Sequence, residues 1–455
     1  MKNTKMYLFA ILIACFSSPI AATVYFVDSQ NGSDQASGTS EGQAWQSIEK
    51  VNQTDLIPGD IIKFVRGGLW RGSLKPKSGT AGALITYTCY GSDNLQKPRL
   101  YGSKSLNQAT DWIKVDTRLW RTAETVTEPT SKLTHSDVGN LIFDGDRAGV
   151  KCWSKEELKT DGFFWFDLAT RYLWLASTNN PAETNREIEA ALRRAHVVDL
   201  TDVHYVMLSN FDVRYGAAHG FGGSGNSYIT IRDCDVSWIG GGHQSTRLDG
   251  VPVRYGNGIE FWADAHDHII EGCRLWEIYD AALTNQGMGK NQQRNITYRN
   301  NIIWNCEYSF EYWNRDEESI TDNIVFTHNT CLNAGHGWGH SQRPDPNGRH
   351  IMFYETTANT TNFIVSNNVF AYATESIFRV DSRRGQEQIA EQSDAAQKSG
   401  EQGIVWVKQL FMNDNIWFQQ PSDSRTIVLW QIEKINDFRV YQEKSGLDQN
   451  SMFFE

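Results

Sequence analysis

The chain has 455 residues, a formal net charge of −11 and 40% hydrophobic residues. This hydrophobic content can bury a sizeable core, which excludes an intrinsically disordered protein. The acidic balance argues against nucleic acid as a partner, because it implies no broad basic surface.

The N-terminal residues have the pattern of an export signal. Two lysines precede an apolar run at residues 6–16, and a pair of alanines at residues 21–22 follows. The run is too short to span a bilayer comfortably. We therefore expect a signal peptide over residues 1–22, a secreted or periplasmic protein and no transmembrane segment. In the alternative, a Leu-Ile-Ala-Cys sequence resembling a lipobox places a lipid anchor on Cys15 and makes the protein an outer-membrane lipoprotein.

Residues 23–105 are rich in turn motifs. A Gly-Ser-Asp turn follows the first predicted strand. A Pro-Gly-Asp turn at residues 58–60 then leads into a strand that ends at an Arg-Gly-Gly turn.

Residues 106–192 interrupt this organisation. Alternating aromatic and apolar residues surround a turn at Asp167–Thr170, a pattern typical of antiparallel hairpins. We interpret the region as an inserted β subdomain with a stabilising role.

Residues 193–435 contain a repeat of short β-rich runs, each interrupted by a small polar pair. Turn residues rather than amphipathic helices separate the runs, which argues against alternating strands and helices. Parallel strands in one chain satisfy their backbone groups by stacking coil on coil. The sequence thus predicts an all-β solenoid in which one inward position recurs and, where it is Asn, bonds to the next coil. The predicted column is Asn210, Cys234, Cys273, Asn301, Asn329, Asn368 and Asn415.

Residues 436–455 end in a Gly-x-Asp-x-x-Ser motif, formed by Gly446, Asp448 and Ser451, after a predicted helix. Together with the turns of the N-terminal region, this motif resembles the bacterial right-handed parallel β-helix, pectate-lyase-like family of carbohydrate-active proteins. The resemblance implies a right-handed parallel β-helix in which a short helix, from about Ala44 to Val51, caps the open core. Residues 23–105 then form the N-terminal cap and the first coils, since an uncovered solenoid end would expose apolar surface and unpaired edges. The resemblance also implies a polysaccharide or oligosaccharide as the substrate.

One sheet of the solenoid is expected to carry the functional site. Strict alternation in the runs at residues 258–262 and 309–313 points Glu260, Trp262, Glu311 and Trp313 outward. Glycoside hydrolysis commonly uses two carboxyl groups about 5 to 9.5 Å apart, a distance that one or two coils provide. Tryptophan rings suit the faces of sugars. The candidate catalytic residues are Glu260, Glu311, Glu355, Asp381 and His336.

Three enlarged loops, at residues 240–258, 333–350 and 381–402, are expected to wall a groove along this sheet, since long loops in a regular repeat often carry function. The two histidines of the second loop are spaced as His-x-x-x-His, which is a weak metal signal away from a helix, and we predict no metal site. The candidate substrate-binding residues are Trp262, Trp313, Arg379, His243, His340, Trp338 and Arg247.

Three functions remain open at this point. The first is a glycoside hydrolase that uses paired carboxylates and needs no cofactor. The second is a polysaccharide lyase or epimerase acting on acidic glycans, in which the loop arginines or a calcium ion neutralise a uronate carboxyl group. The third is a non-catalytic glycan-binding surface protein.

Overall fold

The computed structural model describes residues 21–127, 137–192, 196–354, 356, 358–380, 406–420, 426–431 and 433–455. Three long sheets run side by side, and successive coils contribute one strand to each of them. All but one of the strand pairs within these sheets are parallel, the exception being the last pair of the third sheet. The all-β, right-handed parallel β-helix predicted from the repeats and the family resemblance is confirmed.

The first sheet has ten strands and the second sheet also has ten. The strands of the first sheet are Val24–Val27, Ile61–Val65, Ile85–Tyr90, His204–Ser209, Ser227–Arg232, Ala265–Glu271, Gln292–Arg299, Ile320–Thr327, Asn359–Ser366 and Leu410–Asn413. Those of the second sheet are Leu69–Arg71, Arg99–Tyr101, Asp212–Arg214, Asp235–Ile239, Arg274–Ile278, Ile302–Trp304, Thr330–Ala334, Val369–Ala373, Ile416–Phe418 and Met452–Phe454.

The third sheet has nine strands, and its register fixes which residues of successive coils are neighbours. One inward position is aligned through six coils and is fully buried in each: Phe221, Ile259, Leu283, Phe310, Ile351 and Phe378. The strands are His196–Asp199, His219–Gly223, Ile259–Phe261, Ala281–Gly287, Tyr308–Asn314, Arg349–Phe353, Phe378–Val380, Val428–Trp430 and Glu433–Ile435.

The predicted polar column exists between the first and second sheets. The side-chain oxygen of Asn329 accepts hydrogen bonds from the backbone and side-chain nitrogens of Asn301, both at 3.0 Å. Asn329 in turn donates to Asn368, which donates to Asn415. Each member therefore satisfies polar groups that the core would otherwise leave unpaired.

The prediction for the first member of this column was wrong by one position. The registers of the two flanking sheets align Phe211, not Asn210, with Cys234. Asn210 instead adopts a left-handed conformation with φ of 62°, which asparagine tolerates better than most residues. Phe211 is fully buried and fills the column with a ring.

Short helices lie near the two ends of the solenoid. The first, Ile48–Gln53, starts after Ser47, whose hydroxyl accepts from Lys50 N; it begins later than the predicted 44–51 helix. Its two buried residues belong to the same core cluster as the sheets. The last, Phe438–Ser445, ends at Gly446, whose φ of 72° suits glycine. Asp448 follows and accepts from Asn415 at 3.1 Å, which closes the polar column.

The described residues between 103 and 192 form two sheets outside the solenoid's three. A four-stranded sheet consists of Arg147–Ala148, Val138–Phe143, Ile188–Leu192 and Ser103–Ser105, and a five-stranded sheet consists of Val150–Cys152, Phe163–Phe166, Leu173–Ala176, Leu119–Thr122 and Trp112–Asp116. They enclose a separate hydrophobic cluster. Pro181–Thr184 is a short helix, and Glu41–Gln43, Ala109–Asp111, Lys155–Glu157 and His340–Gln342 are 3-10 turns.

The six cysteines of the described residues are free thiols, and all except Cys89 are buried. No helix in the described part of the chain is long and apolar enough to cross a membrane. The signal-peptide run and Cys15 lie outside the described residues.

Candidate active site

Two glutamates of the third sheet face one cavity of about 340 Å³. Thr284 is the register partner of both Glu260 and Glu311, so the two glutamates lie two coils apart on the same outward column. At about 4.8 Å per coil their backbone positions are about 9.6 Å apart. Both are largely buried, with 6% and 5% of their surface exposed.

Glu260 is held by an ion pair at one end of the cavity. Its Oε2 lies 2.8 Å from His219 Nδ1 and accepts a hydrogen bond from Asn257 Nδ2 at 2.6 Å. Burial by itself raises the pKa of Glu260, but His219, His196 and the hydrogen bond from Asn257 together outweigh burial and hold the pKa below its ordinary value. Glu260 is therefore ionised at neutral pH.

The pKa of Glu311 is shifted in the opposite direction. Burial, together with the nearby charge of Asp280, raises the pKa of Glu311 to about 8. Hydrogen bonds from Gln286 Nε2 at 2.7 Å and Thr284 Oγ1 at 3.2 Å oppose this shift without cancelling it. At neutral pH Glu311 is mostly protonated and can donate a proton.

A third carboxyl group, Asp280, lines the cavity between these two coils. Burial raises the pKa of Asp280, the charge of Arg343 opposes that rise, and the charge of Glu307 adds to it. Arg343 Nη1 lies 3.2 Å from Asp280 Oδ1, and Arg343 Nε lies 3.7 Å from Glu307 Oε1. Arg343 thus neutralises part of the acidic charge behind the cavity.

Aromatic rings form the sides of the cavity. Trp262 and Trp313 meet edge to face with their ring centroids 5.3 Å apart, and the Arg315 guanidinium lies 4.4 Å from the Trp313 ring. Tyr255 packs edge to face on His219 at 5.2 Å. Ring faces beside polar groups are the surface that a sugar, with its apolar and hydroxyl faces, requires.

The structure brings four of the sequence candidates together: Glu260, Glu311, Trp262 and Trp313 all line this cavity. Glu355 and Asp381, the other two candidate carboxylates, lie outside the described residues. The whole loop at 381–402 lies outside them as well.

The loop at 333–350 packs beside the cavity rather than over it. Trp338 donates from Nε1 to Glu277 O at 3.0 Å, and its ring packs against Tyr279 within the protein. His340 Nδ1 pairs with Glu307 Oε2 at 3.0 Å. His336 is exposed and does not line the cavity. The structure thus places His336, Trp338 and His340 outside the lining of this cavity.

Three further candidates also lie away from the cavity lining. His243 Nε2 bonds to Thr246 Oγ1 at 3.0 Å. Arg247 forms an exposed ion pair with Asp249 at 2.5 Å. Arg379 aligns with Met352, the register partner of Glu311 on the next coil, and is thus two coils beyond Glu311. The loop at 240–258 nevertheless walls the cavity through other residues, Gln244, Tyr255 and Asn257.

His219, Asn257 and Asp280 are lining residues that were absent from the sequence candidates. His219 and Asn257 precede the inward residues Phe221 and Ile259 by two positions, so simple alternation assigns them to the core. They lie at the corner where the chain enters the sheet, and alternation does not hold there. An alignment of the coils would have provided a signal, because a polar residue stands at the start of, or just before, three consecutive strands of the third sheet.

Within the described residues, no three or more His, Cys, Asp or Glu side chains are grouped so that they could hold a metal ion. The cavity offers an ionised carboxylate, a protonated carboxyl group and the ring surfaces beside them.

No protein-family model matches the chain. A stretch of 83 residues is 37% identical to a lacto-N-biosidase of Bifidobacterium longum subsp. longum, which amounts to 17% of this chain and 5% of that protein. The chain thus matches a small part of the length of this curated relative.

Among solved structures, a glycoside hydrolase superposes with a TM-score of 0.52 at 10% identity, covering 94% of this chain and 99% of that chain. A lacto-N-biosidase from Eubacterium ramulus gives a TM-score of 0.43 at 12% identity, covering 95% of this chain and 68% of that chain. At 10% identity, the likeness to the first of these structures shows the fold alone.

Proposed function

We propose that this protein is a glycoside hydrolase that cleaves a polysaccharide or oligosaccharide in the cavity of the third sheet. The observation that carries this proposal is the pair of buried glutamates, two coils apart, whose pKa values are shifted in opposite directions. Such a pair supplies the acid and the base of glycoside hydrolysis. The short match to a lacto-N-biosidase supports the same class of reaction.

In the proposed reaction Glu311 is the general acid. Its proton passes to the glycosidic oxygen as the bond to the anomeric carbon breaks, so that the leaving sugar departs as a neutral alcohol. Glu260 accepts a proton from a water molecule that attacks the anomeric carbon from the opposite face. His219 keeps Glu260 ionised for this step. The separation of two coils leaves space for the sugar ring and the water between the two carboxyl groups.

The charge of the cavity favours hydrolysis of uncharged sugars over elimination from uronates. Three carboxyl groups and one arginine, Arg315, line it, so acidic groups outnumber the cation that a uronate lyase needs to neutralise the substrate carboxyl group. Two of the loop arginines expected to serve a lyase have partners within the protein: Arg343 pairs with Asp280 and Glu307, and Arg349 donates to Ser376 and Asn347. A lyase using calcium remains the alternative outcome of the test below.

The test is to incubate the purified protein with a panel of neutral and acidic glycans and to measure both reducing ends and ultraviolet absorbance. We expect new reducing ends without an unsaturated product. Glu311→Gln and Glu260→Gln should each lower kcat by at least about 100-fold, because each removes a group that transfers a proton.

The matched control is Glu318→Gln, since Glu318 is exposed and pairs with Lys290 at the surface; it should leave the rate unchanged. An absorbing product would reassign the protein to the lyases. Full activity in either cavity variant, with the fold intact by circular dichroism, would contradict the proposed roles.

A further inference from the structure

The β hairpin formed by Gly242–Thr246 and Pro252–Tyr255 has two different sides. Gln244 and Tyr255 line the cavity. His243 and Arg254 are paired across the hairpin and face away from the cavity, since the His243 ring packs on Trp153 with centroids 5.4 Å apart and Arg254 donates to Gly139 O. The side facing away lies against the subdomain at residues 103–192 and the loop at 333–350.

The contacts of Arg254 join these three parts of the chain. Its guanidinium is buried and donates to Gly241 O at 2.7 Å, within the hairpin region, and to Gly139 O at 2.8 Å, in the subdomain. It also donates to Gln342 Oε1 at 3.1 Å, in the loop. The planar fork of arginine can hold three acceptors in fixed directions, which lysine cannot do.

Gln342 completes this junction from the loop side. Its Nε2 donates to Gly149 O at 2.8 Å, and its Oε1 accepts from Lys151 N at 3.2 Å as well as from Arg254. A second link runs through the buried Asp137, whose carboxylate accepts from the backbone N of His243 at 2.6 Å and from Lys151 Nζ at 2.7 Å. The subdomain thus bonds to the hairpin through both side-chain and backbone groups.

The backbones at this junction approach too closely for side chains. A Cβ added to Gly139 would lie 2.6 Å from Gly242 N, and one added to Gly241 would lie 2.7 Å from Gly139 O. Gly241 also has a φ of 86°, which other residues rarely adopt. The backbone of the hairpin region therefore lies directly against the backbone of the subdomain, with no side chain between them.

We propose that the subdomain at residues 103–192 is a positioning element for the cavity: through Arg254 and Gln342 it holds the hairpin so that Tyr255 and Gln244 form the cavity wall. Tyr255 packs on His219, the partner of Glu260, so the position of the hairpin also affects the surroundings of the proposed base. The consequence for substrate affinity rests on the proposed hydrolase function, whereas the placement of the hairpin does not.

The test measures hydrogen exchange by mass spectrometry in the full-length protein, for Arg254→Lys, Gln342→Ala and the wild type. We expect the amides of residues 242–255 to exchange about tenfold faster in each variant, because one or more bonds to the hairpin are lost. The amides of the core strand Tyr308–Asn314 should keep their protection. Gln342→Ala removes a partly buried side chain and serves if Arg254→Lys does not fold.

The matched control is Arg118→Lys, on the exposed face of the same subdomain, where Arg118 pairs with Asp161 at 2.7 Å. It should leave hairpin exchange and turnover unchanged. On a glycan that the wild type hydrolyses, Arg254→Lys and Gln342→Ala should raise KM several-fold more than they lower kcat. Unchanged hairpin exchange in both folded variants would overturn the proposal. A wild type that hydrolyses no glycan would instead refute the proposed function, with the exchange result still deciding the role of the subdomain.

Discussion

Glu260 and Glu311 have the same side chain, and their surroundings set them to different ionisation states. Glu260 keeps its charge because an imidazole ring 2.8 Å away compensates for burial. Glu311 accepts hydrogen bonds only from neutral donors among the described residues and lies near the carboxyl group of Asp280, so its charged form is disfavoured. The ionisation of Glu311 is thus set by its neighbours, which makes it open to test.

The pH dependence of turnover should follow from these two groups. Glu311 must be protonated, so kcat/KM should fall as the pH rises through about 8, and Glu260 must be ionised, so the acid limb should lie below the ordinary glutamate pKa. Asp280→Asn removes a negative charge beside Glu311 and should move the alkaline limb about one unit towards lower pH. The exposed change Asp249→Asn is the control. An alkaline limb that does not move in Asp280→Asn would contradict the proposed influence of Asp280.

At the scale of elements, the asparagine column joins coils that are otherwise held by strand pairing and apolar packing. Each side chain bonds to the coil on either side: Asn329 donates to Tyr298 O at 3.1 Å and to Asn368 Oδ1 at 3.1 Å. A residue that is 1% exposed and bonded in both directions has no water to replace a lost partner.

Asn329→Ala should therefore destabilise the protein. The change removes the acceptor of the Asn301 backbone N–H and one of the two acceptors of its side-chain amide, which keeps Ile270 O, and we expect the free energy of unfolding to fall by about 2 to 4 kcal/mol. Urea denaturation monitored by tryptophan fluorescence measures this loss. Asn94→Ala, at an exposed turn, is the matched control and should change the free energy by less than about 0.5 kcal/mol. An equal, small effect of both changes would show that the column contributes little to stability.

At the scale of the whole molecule, the rise of the solenoid fixes the distance between the proposed acid and base. Both glutamates project from one column, and one intervening coil, that of Thr284, separates them. A spacing of about 9.6 Å between their backbone positions lies near the wider, inverting range of carboxyl separations in glycosidases and far from the 5 to 5.5 Å of retaining enzymes.

Hydrolysis should accordingly invert the configuration at the anomeric carbon. Proton NMR of the first product formed from a glycan of known anomeric configuration, recorded before mutarotation, measures the outcome. A β-linked substrate should release the α-sugar. Release of the β-sugar would show that the carboxyl groups act at the shorter distance, with one of them as a nucleophile.

The sequence alone predicts the parts of this molecule that follow a period. The repeat and the alternation within strands were enough to predict the asparagine column and the outward direction of Glu260 and Glu311. They were insufficient for His219 and Asp280, which lie at corners, and for Trp338, whose loop follows no period and packs according to tertiary contacts. The pKa of Glu311 could not be predicted either, since it depends on burial and on a residue of another coil.

The closing segment has a consequence for protein engineering. Asp448 accepts a hydrogen bond from Asn415, the last asparagine of the column, and further hydrogen bonds from Trp417, Tyr441 and Ser451. The segment at 437–455 therefore supplies most of the groups that satisfy this end of the column. We expect that this segment can cap other solenoids when it is grafted after a coil that presents an inward asparagine and a large apolar ring. Solenoids of chosen length could then be finished without designing a new end for each.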